Sequence, residues 1–441
     1  MRKRMLLLLL LVLLNSHASD AQNTQTQIIP KLALLFRDIY GPNGLIVNSE
    51  DVLPDGSTHS AHFNSEFQSS FTQFNVAIAS QLTTLPIPSP ASGFTYTFDT
   101  FTGTFRRSTQ SFGPILAERA ETIGRGKFSF GFNFQQFVFG SIEGVDLSRV
   151  PAVFRHDDFQ LGGGRSDVVT TTNTIDASVA QFTAFLTYGI TNRLDFSVAV
   201  PVVRTHLSLL SDAVIQRIGT AQNPKIHFFR DPSDPTKFGN ERQYFAEGTA
   251  AGVGDVIFRL KGTALRRGAL ALALGTDIRA PSGDEKNLLG SGAAGVKPFA
   301  ALSLVVKRIA PHLNAAYQRN GKSELAGDIK VGTKVHLPDQ VFYVAGADVG
   351  IRDRLTLAVD FLGQTVLRSP RIIPITFVAA NDARFPDILF HKESFNDFSG
   401  SAGVKMNIGK NLLANFNLLF RLNDAGLRYR LAPLIGLEYG F

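Results

Sequence analysis

Phe128, Phe130, Phe132 and Phe134 alternate with Ser129, Gly131, Asn133 and Gln135, so this stretch has one aromatic face and one polar face. The same period of two returns along most of the chain. Leu194, Phe196, Val198 and Val200 alternate with Asp195, Ser197 and Ala199, and Leu270, Leu272, Leu274 and Ile278 oppose Asp277 and Arg279. Leu355, Leu357, Val359 and Phe361 oppose Thr356 and Asp360, and Phe416, Leu418 and Phe420 oppose Asn415, Asn417 and Arg421. Successive side chains point to opposite faces of a strand, so each stretch reads as β. A soluble two-layer sandwich also alternates, but a packed inner face rejects charge. Here charges stand in strand middles, opposite large apolar residues. That fits strands with lipid on one side and a polar lumen on the other. Only a closed barrel leaves no unpaired backbone edge in lipid. The expected fold is all-β, a transmembrane antiparallel β-barrel.

The connections agree. Tight turns at 123–126, 189–193, 266–268, 308–311, 350–353 and 409–411 alternate with long polar stretches at 141–167, 211–250, 282–294, 321–339 and 368–395. Short turns at one end and long loops at the other are the periplasmic and extracellular ends of an outer-membrane barrel. With a first strand near 93–99 and a last near 431–441, the pattern gives about fourteen strands. Twelve or sixteen are also compatible, because 321–339 could hold a further pair.

Residues ahead of the strands divide in two. Arg2, Lys3 and Arg4 precede the apolar run Leu6 to Leu14 and then small residues, which predicts a secretory signal peptide over 1–21, cut after Ala18 or Ala21. Residues 22–90 are rich in Gln, Asn, Ser and Thr, with weak helical patterns at 28–36 and 67–82 and a close at Pro86, Pro88 and Pro90. They predict a short, partly helical plug or periplasmic segment, with the barrel over 91–441. The chain has no Cys and no Trp but 37 Phe and 8 Tyr. No disulfide can brace it, so pairing and burial must hold the exported chain together. After Leu14 no apolar run approaches the roughly 18 residues of a helical span.

The end of the sequence repeats the opening feature. Ile435, Leu437, Tyr439 and Phe441 share one face, with Gly436, Glu438 and Gly440 on the other. A closing strand of this kind resembles the signal read by the outer-membrane barrel-assembly machinery, an expected partner. The formal net charge of +7 suits contact with outer-membrane lipids and lipopolysaccharide, but no basic run is dense enough for nucleic acid.

Several residues invite a chemical reading. His206 and Ser208, with Asp212 nearby, put an imidazole and a hydroxyl on one strand face, as a barrel lipase would need. A His and a Ser two apart are commonplace at a polar rim, and no enzyme is expected. Gly290 to Gly295 matches a dinucleotide fingerprint in letters, but a strand rather than a helix follows it, so it reads as a loop. Asp55, His59 and His62 lack a second cluster to complete a metal shell. No cofactor and no metal are expected. The stronger candidates are the inward charges Asp255, Arg259, Lys261, Asp277 and Arg279, extended by Asp360, Lys405, Arg421 and Glu438. They read as a lumen-lining set, either pairing with one another or selecting solutes. Arg204 and His206 have the parity of the lipid face near its outer end. A midplane charge there would cost roughly 2–4 kcal/mol, which places both at the headgroup level beside lipopolysaccharide phosphate.

Gly252-Val253-Gly254-Asp255-Val256, entering one strand, and Ala280-Pro281-Ser282-Gly283-Asp284, leaving the next, resemble the outer-membrane proteins named for the meta-pathway of phenol degradation. Thr191-Asn192-Arg193-Leu194-Asp195, Pro201 and the Gly290 to Pro298 segment add to the resemblance, which covers roughly residues 110–441. It implies a passive channel for small hydrophobic or aromatic compounds, related in outline to the long-chain fatty acid channel. Residues 22–90 would then be a hatch in the lumen. A general diffusion porin, or a structural or adhesive barrel, is the alternative, with a barrel lipase as a remote one.

Overall fold

The computed structural model describes residues 24–26, 29, 31–41, 44–50, 63–64, 74–80, 96–99, 104–107, 111–156, 165–231, 234, 236–409 and 411–441. The expected signal peptide and the Asp55, His59 and His62 group lie outside these residues.

Twelve antiparallel strands close a barrel. They are β1 Phe128–Ile142, β2 Val168–Thr191, β3 Leu194–Gln216, β4 in two parts (Glu241–Val253 and Val256–Arg267), β5 Leu270–Ala280 and β6 Gly295–Leu304. The circuit continues through β7 Ile309–Asn320, β8 Gln340–Arg352, β9 Leu355–Val378, β10 Arg384–Gly409, β11 Leu412–Arg421 and β12 Leu431–Gly440. Closure is made by β12 on β1, with Leu437 opposite Phe132 and Tyr439 opposite Phe130. Phe128 and Phe441 exchange both backbone hydrogen bonds, at 2.8 and 2.9 Å, and their rings stack at 5.5 Å.

Twelve lies inside the range the sequence allowed, and the strands differ from the expected layout at three places. The wall begins at Phe128, not near 93–99, because Tyr96–Asp99 pairs with Thr104–Arg107 in a separate hairpin. The 321–339 stretch does hold a pair, Lys322–Asp328 with Thr333–His336, but it stands apart from the wall. The stretch 368–395 is not a loop: β9 and β10 pair out to Val378 and Arg384.

Outward side chains form the apolar belt. Phe130, Phe132, Phe182, Phe196, Leu260, Leu274, Val359, Phe416 and Ile435 are all exposed. Ile435, Leu437, Tyr439 and Phe441 lie in that belt, as their spacing predicted. A membrane β-span needs roughly 9–11 residues. β5, β6, β11 and β12 have 11, 10, 10 and 10 residues, so they barely cross. β2, β3, β9 and β10 have 24, 23, 24 and 26, so they rise well beyond the lipid. The wall is therefore tall at β2–β3 and at β9–β10, and low from β5 to β8 and again at β11–β12. The exposed turns at the other end are basic: Arg193, Arg266, Arg267, Lys307, Arg308, Arg352 and Arg354. Much of the positive net charge is placed there.

One outer loop is clamped by a buried carboxylate. Asp167 accepts from the amides of Ile218 and Gly219 at 2.7 and 2.8 Å, from the Thr220 hydroxyl at 2.5 Å, and meets His227 Nδ1 at 2.5 Å. Burial pushes its pKa up, but the hydrogen bonds from His227, Thr220 and Ile218 outweigh it and hold the group well below the ordinary range. A depressed carboxylate pKa contributes stability that is full above its unfolded value of roughly 3.9 and is lost as pH falls below it. The protection factors of amides 218–220, taken against the intrinsic exchange rate at each pH, are expected to be high at neutral pH and to fall in acid. Equal protection at both would contradict the clamp.

Candidate solute pathway in the barrel lumen

Two segments ahead of β1 occupy the lumen, at different depths. The lower is 111–124, which crosses the barrel near its periplasmic end. It has no regular secondary structure, so its backbone groups must be satisfied by lumen side chains. They are. Phe112 N donates to Thr356 Oγ1, Ala120 N to Ser303 Oγ and Ile123 N to an Asp195 carboxylate oxygen, at 2.9, 3.0 and 3.0 Å. Lys405 donates to the carbonyl of Pro114 at 2.8 Å, and Thr263 to that of Ala120 at 2.7 Å.

The inward charges assemble around this floor. Lys261 donates to Glu118 Oε1 at 2.8 Å and to the carbonyls of Arg119 and Glu121 at 3.0 and 2.9 Å. Arg259 bridges Glu118 and Asp277, reaching Asp277 through two bonds of 2.6 and 2.8 Å, and Lys297 adds a third cation at 3.0 Å. Asp360 meets His312 Nε2 at 2.7 Å, and Asp348 binds Ser111 on the floor. Glu438 accepts from Ser129 at 2.9 Å. Isolated ions would be prohibitively costly in such a setting, whereas paired and hydrogen-bonded ones are tolerated.

The second segment fills the upper lumen. There the inward faces of β2 to β4 turn apolar, with Ile175, Val203, Leu207, Leu209, Ala246 and Ile215 all buried. Against them pack Leu32, Phe36, Ile39 and Tyr40 from 31–41 and Phe74, Val76 and Ile78 from the helical residues 74–80. Phe36 and Phe74 rings lie 4.6 Å apart, and the Tyr40 hydroxyl reaches Ser211 at 2.8 Å.

The wall is irregular at Gly254-Asp255. Val253 pairs with Val202, but Ile257 pairs with Ala199, so β4 carries one extra residue there. Such a bulge changes which parity faces inward. Beyond it, β4 runs on from Val253 to Glu241 beside β3, while β5 stops at Ala280 opposite Val256. Among the described residues, the only strand on that free side is Thr24–Thr26, parallel to Gln243–Phe245. Residues 246–253 therefore form an edge within the wall.

This edge is covered from inside by 281–294. Asp255 anchors the cover, accepting from Gly283 N at 3.1 Å, Ser291 N at 2.8 Å and Ser291 Oγ at 2.6 Å. Ser282 splices into the bulge, donating to Gly254 O at 2.7 Å and accepting from Val256 N at 3.0 Å. Leu288 and Leu289 are buried behind the edge. A Cβ on Gly252 would come within 3.0 Å of Leu289, and one on Gly248 within 2.5 Å of Leu32. The glycines let both leucines lie flat on β4.

Above the floor lies a cavity of about 200 Å³. Leu116, Phe299, Phe342, Val344 and Leu419 give it apolar walls, and Arg259, Asp277 and Arg279 line it too. The Arg259 guanidinium sits 5.1 Å from the Phe299 ring centre. A dry apolar cavity of roughly 150 Å³ holds one benzene ring. This one admits a molecule of that order.

All nine charges singled out in the sequence point inward or sit at the lumen mouth. Asp255 and Arg279 serve the cover, Arg279 lying 3.6 Å from Asp255 and bonding Asn320 at 2.7 Å. Arg259, Lys261, Asp277, Asp360, Lys405 and Glu438 surround the floor. Arg421 stands apart near the outer end, on Ser141 and Asp424, each at 2.9 Å. Sequence reasoning missed Glu118, Arg119, Glu121, His312 and Asp348. The one available signal was that 111–124 carries charge without alternation. His206 bonds Thr249 at 2.9 Å, and Asp212 bonds Gln243 at 2.8 Å, so Ser208, His206 and Asp212 do not assemble as a triad. Gly290 to Gly295 is the Asp255-anchored cover, a loop as expected.

No family model and no curated protein matches the chain. Among solved structures, an outer membrane channel from Pseudomonas putida F1 is 12% identical with a TM-score of 0.41, over 74% of this chain and 99% of that one. A Ralstonia pickettii toluene transporter is 14% identical with a TM-score of 0.27, over 72% and 90%. A FadL homologue from Pseudomonas aeruginosa is 10% identical with a TM-score of 0.31, over 81% and 98%.

Proposed function

We propose that this outer-membrane barrel is a passive channel for small hydrophobic or aromatic compounds, the class implied by its resemblance to the meta-pathway family. The observation that carries the reading is the cavity of about 200 Å³ above the ion-paired floor, with Leu116, Phe299, Phe342, Val344 and Leu419 on its walls. An open water path suits a general porin. A chamber with aromatic and aliphatic walls, beside the bulge in β4, suits a small solute that arrives from the lipid side.

The test is uptake by liposomes carrying the protein. A radiolabelled alkylbenzene is expected to enter faster than in protein-free liposomes, while a monosaccharide is not. Equal acceleration of both would make the protein a porin. Deleting residues 22–90 removes only the upper barrier, so ion conductance in planar bilayers is expected to stay low until the floor is also loosened. A large conductance from the deletion alone would show that the floor does not seal.

A further inference from the structure

A second cavity, of about 810 Å³, opens beside the outer ends of β7 and β8 against the taller β9 and β10, with Val76 of the lumen plug at its back. Its inner wall is apolar, with Val76, Leu337, Leu367 and Phe390, and its rim carries Arg319, Arg368 and Lys392. Among the described residues Asp339 is the one carboxylate lining it, and it is engaged, accepting from the Tyr317 hydroxyl at 2.8 Å and from Asn320 N at 2.9 Å. Among the described residues, the three rim cations have no carboxylate within ion-pair distance, whereas nearby Arg371 pairs with both Glu143 and Glu393. Like charges brought together without a counterion cost energy unless an anion joins them.

The height of the rim says which anion. Leu313 and Tyr317 are exposed on the lipid side of β7, and Arg319 is the next residue of that parity outward. Tyr343, Phe361 and Phe398 form an aromatic group beside it on β8 to β10, with ring centres 5.6 and 6.4 Å apart. Aromatic residues mark the membrane interface, so the basic rim stands at the outer headgroup level. Arg368 also has φ +51°, at the irregularity between Val366 and Ser369. A left-handed backbone at a non-glycine residue carries a cost, and such residues cluster where a side chain must be aimed.

We propose that this cleft binds a phosphate-bearing lipid of the outer leaflet, with phosphate on Arg319, Arg368 and Lys392 and an apolar chain against Leu337, Leu367 and Phe390. Guanidinium groups take phosphate through paired hydrogen bonds, and an apolar wall behind them selects an amphiphile over a free ion. The inference rests on the membrane setting of the barrel and is independent of the transported solute.

Native mass spectrometry of the detergent-purified full chain tests it, with bisphosphorylated lipid A as the probe. Bound lipid is expected on the wild type, and roughly tenfold weaker binding on Arg319→Gln and on Lys392→Gln. The double variant is expected to lose it, while Arg266→Gln in a periplasmic turn is expected to bind as wild type. Heat-modifiable migration on gels confirms that each variant is folded. Unchanged binding by the folded double variant, or equal binding of a fully dephosphorylated lipid A, would overturn the proposal. Displacement by millimolar inorganic phosphate would overturn it too, assigning the cleft to a soluble anion.

Discussion

In the barrel that lacks residues 22–90, Lys261→Met is expected to raise the ion conductance severalfold without dissolving the barrel. Lys261 is buried on the inner face of β4, and its three bonds all go to the 111–124 floor. Methionine keeps most of the volume but leaves Glu118 short of one cation and two carbonyls without donors. Breaking a buried pair on one side costs about 3–5 kcal/mol. The wall ladders lose nothing, so the cost falls on the floor. That segment is fastened by side chains rather than a ladder, and it can open locally while the strands stay paired. Planar-bilayer recording measures the effect, with thermal unfolding as its control. A lowered melting temperature with unchanged conductance would make Lys261 a purely structural residue.

Asp255→Ala is expected to free the cover at the low wall. Asp255 holds two backbone amides and a hydroxyl of 281–294, and it faces Arg279 at 3.6 Å. Alanine removes every acceptor at the bulge and leaves Arg279 a buried cation with one carboxylate fewer. Hydrogen bonds to charged groups contribute about 1.5–3 kcal/mol each, enough to shift a loop by more than tenfold in opening. Trypsin added to intact cells is expected to cut after Lys286 at least tenfold faster than in the wild type. Asp255→Asn keeps one acceptor and should fall between. If Asp255→Ala is cut no faster, the carboxylate does not hold the cover.

The barrel itself was legible because lipid on one face and charge on the other impose a period of two. Asp255, Arg259, Lys261, Asp277 and Arg279 are buried or half-buried on the inner side, while Arg266 and Arg267 between them sit in an exposed turn. The floor was not legible, because its partners lie far away in sequence. Phe112 bonds Thr356 and Ile123 bonds Asp195, with no repeat to announce either. Residues 96–99 alternate like a wall strand, but their partner is the adjacent 104–107, and alternation does not name a partner.

The outer half of the β9–β10 hairpin lies in the stretch read as a polar loop. It holds Pro370, Pro374 and Pro386, which pair with Lys392, Ile388 and Thr376. On β9 these are positions 370, 374 and 376, all even, so all belong to the same class of antiparallel pair. Pairs alternate between hydrogen-bonded and non-bonded, and proline fits the non-bonded class without losing a ladder bond. Beyond Val366 no β8 residue lies alongside to demand the missing N–H.

The central claim is that hydrophobic solutes pass the low wall beside β4 when the Leu288–Leu289 cover moves. The native chain lacks cysteine, so a pair introduced as Gly252→Cys and Leu289→Cys would be its only thiols. A Cβ at 252 would already stand within 3.0 Å of the Leu289 side chain. Oxidation would pin the cover to the edge. Uptake of a radiolabelled alkylbenzene is expected to stop in the oxidised protein and to return on reduction, with ion conductance unchanged throughout. Undiminished uptake through the crosslinked barrel would contradict the account.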